Sequence, residues 1–125
     1  MLIAVRTTAN FTANLREIEA FWDSNQYPAG FDALLAELSN PVIPNLTQHP
    51  RMGRNFLTRQ PQSVDSLVRT RKMLALLKTL GSSSESAEVR EYVMTDYLLL
   101  YLLSGATIHL LAIKHHKQLA FDFTH

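Results

Sequence analysis

The sequence predicts a single α+β domain in which helices pack on one face of a small antiparallel sheet. Apolar residues recur at helical spacing in the first half of the chain, whereas strand-like apolar segments fill residues 89–114. A chain of 125 residues that is 46% hydrophobic can bury one core without disulfides or metals. We therefore expect one domain over residues 1–125.

The chain begins with a predicted strand and a predicted helix. Residues 2–7 are rich in β-branched side chains, and Thr8 offers an oxygen that can cap a helix. Four large apolar residues then follow at steps of four, three and four: Phe11, Leu15, Ile18 and Trp22. This spacing predicts one face of a helix that ends near residue 25, with Trp22 in the core.

A second helix is predicted after a turn at residues 28–30, Pro-Ala-Gly. Its apolar stripe begins at Phe31, and Pro41 should end or kink it because proline has no N–H to donate. Pro44 and Pro50 favour an irregular segment beyond it. Further along, an N-capping serine and an apolar stripe predict an inserted helix at about residues 63–80.

The last third of the chain predicts strands. Residues 89–95, 97–103 and 107–114 form three, with a tight turn at Ser104-Gly105, and residues 119–123 add a short fourth. Residues 97–103 are almost continuously apolar, which is typical of a central strand covered on both faces.

Composition excludes several classes of function. The absence of cysteine rules out thiol nucleophiles and cysteine-based metal sites. We find no phosphate-binding glycine loop and no spacing of metal ligands, so we predict no cofactor. The longest apolar run has seven residues, too few to span a bilayer as a helix, and the N-terminus has no signal-peptide pattern. We expect a cytoplasmic protein that does not enter a membrane.

The net charge of +1 hides an uneven distribution. Residues 51–80 carry a net charge of +6, whereas the segments before and after them are acidic. A basic segment between acidic ones predicts contact with phosphates or with an acidic partner, although a solvated basic helix face gives the same pattern.

Four segments, in this order, resemble the RelE/ParE toxins of bacterial toxin–antitoxin pairs. Residues 8–21 (TANFTANLREIEAF) are similar to the first helix of the family, and residues 46–54 (LTQHPRMGR) to its Pro-x-Met-Gly-Arg loop. Residues 90–101 (REYVMTDYLLLY) resemble its Arg- and Tyr-bearing strand pair, and residues 108–118 (IHLLAIKHHKQ) its last core strand. The insertion at residues 55–87 departs from the family pattern, and it carries most of the excess positive charge.

The resemblance implies a set of candidate catalytic residues. In the ribonucleases of this family, a terminal His or Tyr with Arg and Lys residues acts on the 2′-hydroxyl and the scissile phosphate. The matching positions are His115, His116, Arg90 and Lys114. A histidine can exchange a proton at cellular pH, and cations stabilise charge on the phosphate. A polar strand end without catalysis is the alternative. Neighbours in a strand alternate faces, so only one of the two histidines should face a cleft.

Six further residues are candidates for contact with a target or partner: Arg51, Arg54, Lys117, Tyr97, Arg69 and Lys72. Paired guanidinium groups suit phosphates and acidic proteins equally well, and they can also be balanced by neighbouring acids. Tyrosine can stack on a base, but it is more often a core side chain. The helix that bears Arg69 and Lys72 should mainly cover apolar surface.

The resemblance implies a toxin of a type II toxin–antitoxin system that inhibits bacterial growth and is neutralised by a cognate antitoxin protein. We favour ParE-like inhibition of DNA gyrase, a protein–protein contact without catalysis. The alternatives are a RelE-like endoribonuclease that cuts mRNA at the ribosome and a non-toxic binding module of the same fold. Contact with operator DNA is expected only indirectly, through the antitoxin.

Overall fold

A computed structural model of the protein describes residues 3–55, 87–118 and 121–123. In this part of the chain, five strands form one mixed sheet in the order β1-β5-β4-β3-β2. The elements, in chain order, are β1 (Ala4–Thr7), α1 (Ala9–Ser24), α2 (Ala29–Glu37), a π-helical turn (Leu38–Val42), α3 (Ile43–Gln48), β2 (Arg54–Asn55), β3 (Ala87–Val93), β4 (Tyr97–Ser104) and β5 (Thr107–His115). The predicted α+β class is confirmed. The predicted helix at 63–80, with Arg69 and Lys72, lies outside the described residues.

The sheet is not purely antiparallel, so that part of the prediction was wrong. Strands β2 to β5 pair antiparallel, but β1 lies beside β5 and runs parallel to it, with Val5 opposite Ile108. A parallel pair needs a long crossover between its strands. Here the helices and the rest of the chain supply it, and local residue patterns contain no signal for such a distant pairing.

The second helical segment starts earlier and continues further than predicted. α2 begins at Ala29, directly after Pro28, because the first turn of a helix does not need the N–H that proline lacks. Pro41 lies inside the π-helical turn, and the helical segment continues past it into α3. Pro44 then occupies the first turn of α3, so the predicted irregular segment is partly helical.

The hairpin between β4 and β5 is displaced by one residue from its predicted place. Its two turn residues are Gly105 and Ala106, and Gly105 has a φ of 60°, a conformation that glycine adopts without steric cost. The short last strand predicted at 119–123 is not formed at residues 121–123, where Phe121 packs against the sheet without strand pairing.

Strand β4 is buried on both faces, as its apolar character predicted. One face, with Tyr97 and Tyr101, packs against all the described helices through Phe11, Leu34, Val42, Leu46 and their neighbours. We call this the helix side. The opposite face, with Leu100 and Leu102, packs against Phe121 and a second apolar cluster. The sheet is therefore the middle layer of the core.

A β-bulge in β5 reverses the alternation of its side chains. Leu100 pairs with Ala112 and Tyr101 with Leu110, so Leu111 is an extra residue without a partner in the register. Consequently, Leu110 and Ile113, three residues apart, both belong to the helix side.

Three polar side chains at the start of α1 bind the backbone around the bulge. Thr8 caps α1 by accepting from the Phe11 N–H, and its hydroxyl donates to the Leu110 carbonyl at 2.8 Å. The Asn10 amide donates to the carbonyls of Leu111 and Asp122, both at 2.9 Å. Asn14 accepts from the Ile113 N–H at 3.1 Å. The bonds to Leu111 and Ile113 give partners to backbone groups of β5 that lie beyond the last residue paired with β1.

Replacing Asn10 by alanine should destabilise the fold. The Leu111 and Asp122 carbonyls would lose a buried donor, which costs about 1–3 kcal/mol in the free energy of unfolding. Urea unfolding followed by circular dichroism measures the loss. Asn40→Ala, at an exposed position, is the matched control. Equal unfolding free energies for the two variants would contradict the role given to Asn10.

Candidate functional site

The Pro-Arg-Met-Gly-Arg loop is held against the sheet by the Tyr101 hydroxyl. This hydroxyl donates to the Pro50 carbonyl at 2.8 Å and accepts from the Gly53 N–H at 3.0 Å. A Cβ atom at position 53 would lie 2.7 Å from the same hydroxyl, so the close contact requires glycine. Burial raises the pKa of Tyr101, although its bond to the Gly53 N–H opposes the shift.

The arginines near this loop are bonded to the protein itself. Arg90 donates to the carbonyls of Arg51 and Gly53 and pairs with Glu88, and its side chain is only 16% exposed. Arg51 donates to the same Glu88 carboxylate at 2.9 Å, and this bond is the main reason that the pKa of Glu88 is lowered. We call these contacts the loop clamp.

Arg54 completes the loop clamp. Its Nε donates at 2.7 Å to Glu91, whose side chain is 2% exposed. Because Arg54 and Glu91 are also partners in the β2–β3 register, the ion pair joins two strands that already pair through their backbones. Each arginine of the clamp is therefore paired with a carboxylate of the same chain, while the side chains of Arg51 and Arg54 stay 71% and 56% exposed.

A separate cleft of about 520 Å³ opens between the C-terminal half of α1 and the ends of β4 and β5. Ile18, Phe21 and Trp22 form its helical wall, and Tyr97 and Ile113 come from the sheet. Trp22 was predicted to be a core residue, but it is only partly buried, and its indole N–H donates to the Tyr97 hydroxyl at 3.0 Å.

Gly30 shapes the helical wall of the cleft. The indole of Trp22 lies across the backbone of Gly30, and a Cβ atom at this position would lie 2.6 Å from Cε2 of the indole. Tyr27 packs edge-on against the other part of the indole. The turn between α1 and α2 therefore sets the position of the tryptophan.

His115 and Lys117 line the same cleft. The His115 ring packs edge-on against Tyr97. The backbone N–H of Lys117 donates to His115 Nδ1 at 3.1 Å, so in the neutral ring the proton is on Nε2. Among the described residues, neither His115 Nε2 nor the Lys117 ammonium has a hydrogen-bond or ion-pair partner.

Lys114 and His116 serve the fold. Lys114 is buried on the other face of the sheet, where its ammonium donates to the Gln118 carbonyl and lies 5.5 Å from the centre of the Phe121 ring. Nε2 of His116 lies 3.0 and 3.2 Å from the carbonyls of Tyr97 and Met94, so it must carry a proton. His116 thereby closes the turn between β3 and β4.

The structure does not bring the four candidate catalytic residues together. Arg90 pairs with Tyr101 on one side of β4, and His115 pairs with Tyr97 on the other side. The α-carbons of Arg90 and His115 are four residues apart along the strand direction and two strand spacings apart across the sheet. This places them about 16 Å from each other. Of the predicted site residues, His115, Lys117 and Tyr97 meet in the cleft, whereas Arg51, Arg54 and Arg90 meet in the loop clamp.

The helical wall was missed as part of a site. The apolar stripe of α1 predicted that Ile18 and Trp22 lie on one face of the helix. It could not show that this face extends beyond the end of the sheet. The available signal was Phe21, an aromatic residue that lies off the apolar stripe of the helix and is 57% exposed in the structure.

No protein-family model matches the chain, and no curated protein matches it. Within residues 3–55, 87–118 and 121–123, no three His, Asp or Glu side chains are placed to hold a metal ion. In the same part of the chain, no helix has the length and hydrophobicity needed to cross a membrane.

Replacing Tyr101 by phenylalanine should give a stability difference that depends on pH. Below about pH 10 the variant should be less stable by about 1–3 kcal/mol, because Gly53 and Pro50 lose their partner. Since the pKa of Tyr101 is raised in the fold, the unfolded chain ionises first as the pH rises above 10.0. The wild type then loses stability and the difference narrows.

Urea unfolding from neutral to alkaline pH measures this difference, with Tyr27→Phe, at an exposed position, as control. A difference that stays constant or widens above pH 10 would contradict the burial of the Tyr101 phenol.

Replacing Tyr97 by phenylalanine should alter the fluorescence of Trp22, the single tryptophan of the chain. The indole N–H would lose its acceptor, and the free energy of unfolding should fall by about 0.5–1.5 kcal/mol. Tyr92→Phe removes a hydroxyl that contacts Asn45 instead, and should leave the emission spectrum unchanged. Identical spectra for wild type and Tyr97→Phe would show that this bond is absent in solution.

Proposed function

We propose that the protein is the toxin of a type II toxin–antitoxin pair and that it inhibits growth by binding a protein target, DNA gyrase, without cutting RNA. The resemblance of four segments to RelE/ParE toxins supports the toxin class. The order of the described elements, one strand, two helical segments and then a strand meander, agrees with the order that this resemblance implies.

The position of Arg90 is the observation that carries the choice of mechanism. An acid–base ribonuclease needs a proton-transfer group and cations within reach of one phosphate. Arg90 is bonded to two carbonyls and a carboxylate of its own protein, about 16 Å from His115 by strand geometry. Lys114 is buried on the opposite face. This dispersed set favours a binding protein.

The cleft supports a protein target on independent grounds. It combines the exposed Phe21 with the partly buried Trp22 and the buried Tyr97, and aromatic residues are enriched where proteins bind one another. His115 and Lys117 at the same cleft are the feature that keeps the ribonuclease alternative open to test.

Controlled expression in a bacterial host tests the proposal. We expect growth arrest with filamentous cells and intact mRNA, and inhibition of supercoiling when the purified protein is added to purified gyrase. The same gene with an early stop codon is the control for effects of its RNA. Co-expression of a small protein encoded beside the gene should restore growth if that protein is the antitoxin.

Two outcomes contradict the proposal. Arrest with rapid mRNA cleavage, at full gyrase activity, would establish the ribonuclease alternative. Normal growth and unaffected gyrase at verified expression would favour the non-toxic binding module.

A further inference from the structure

Exposed aromatic side chains lie at and beside the helical wall of the cleft. The Phe21 side chain is 57% exposed, and Tyr27, which packs edge-on against Trp22, is also 57% exposed. Ile18 and Ile113 extend this surface into the cleft. Its volume of about 520 Å³ accepts one or two large side chains from another molecule, which is the scale of a protein anchor pocket.

Two hydrogen-bond donors lie at the rim of this surface. The Lys117 ammonium is exposed, and the Nε2–H of His115 points away from the bond that the other ring nitrogen makes with the turn. Among the described residues, both donors lack an acceptor. A carboxylate is the group that complements a cation beside a neutral N–H donor.

The acidic residues of the cleft select against a polyphosphate chain. Glu17 and Asp122 also line the cleft, and both already have interaction partners within the protein. Their negative charges would repel the closely spaced phosphates of a nucleic acid, whereas a peptide can place one carboxylate at Lys117 and direct an apolar side chain past them. Electrostatic complementarity therefore favours a protein segment over RNA.

We infer that the cleft binds a segment of a partner protein that presents a large aliphatic or aromatic side chain beside an aspartate or glutamate. The apolar side chain packs against Phe21 and Trp22, and the carboxylate accepts from Lys117 and His115. This inference rests on the proposed function, because it gives the chemistry by which the protein target is recognised.

Selection from a library of random peptides displayed on phage tests the inference without knowledge of the partner. The selected peptides are synthesised without tryptophan and titrated while the fluorescence of Trp22 is followed, since this single tryptophan lies in the cleft. The titration compares the wild type with Lys117→Glu. Arg16→Glu, the same charge reversal at an exposed α1 position outside the cleft, is the matched control.

We expect the selected peptides to carry an acidic residue next to a large apolar one and to change the Trp22 fluorescence. Lys117→Glu should weaken their binding about tenfold or more, whereas Arg16→Glu should change it by less than about twofold. A peptide with lysine in place of its acidic residue should bind Lys117→Glu better than it binds the wild type. Circular dichroism confirms that each variant is folded.

Several results overturn the inference: no peptide is enriched, the enriched peptides are basic or leave Trp22 unchanged, or both charge reversals weaken binding equally. Binding of a single-stranded RNA oligonucleotide that depends on Lys117, without peptide binding, would assign the cleft to nucleic acid. Because binding is measured on the purified protein, a chain that binds such peptides but does not arrest growth loses the proposed function and keeps this inference.

Discussion

The bulge at Leu111 is the constraint on which the rest of the structure depends. It lies where the pairing of β1 with β5 ends, at Leu110, and a buried sheet cannot leave the backbone groups beyond this point without partners. Thr8, Asn10 and Asn14 supply those partners from one end of α1. The same bonds therefore complete the sheet and fix the first helix against it.

The bulge also decides which side chains reach the cleft. With regular alternation, Leu110 would share a face with Lys114, and His115 would point away from the helices. The extra residue exchanges these positions, so that His115 meets Tyr97 on the helix side and Lys114 is buried beside Phe121. The bulge therefore puts His115 at the cleft and the preceding residue, Lys114, on the opposite face of the sheet.

Much of the fold follows from local patterns, whereas its long-range arrangement does not. Helical spacing and the Thr8 cap predicted α1 closely, and the apolar run at 97–103 predicted a strand buried on both sides. The parallel pairing of β1 with β5 joins residues about a hundred positions apart, and no local period encodes it. The prolines led to a wrong prediction of where the second helical segment begins and ends, because the position of a proline within a helical turn decides whether the helix stops there.

Only parts of the candidate site could be predicted from the sequence, for related reasons. His115 is the last residue of β5 and lies at the cleft, whereas His116 follows the strand, so alternation along a strand does not apply to it. Spacing along α1 placed Trp22 on the right face but could not show where the sheet beneath that face ends. The roles of single residues depend on where the sheet ends, on the bulge in β5 and on backbone carbonyls that bind side chains. A residue pattern shows none of these features.

The pairing of β2 with β3 bears on how the length of the chain between these two strands can vary. Asn55 and Arg90 are neighbours across two strands, and the Arg54–Glu91 ion pair holds those strands together. Asn55 and Ala87, the described residues on either side of this connection, are therefore held in adjacent strands. Closing a longer flexible connection costs only about 0.6 kcal/mol for each doubling of its length. A change in the length of this connection therefore adds little to the entropic cost of closing it.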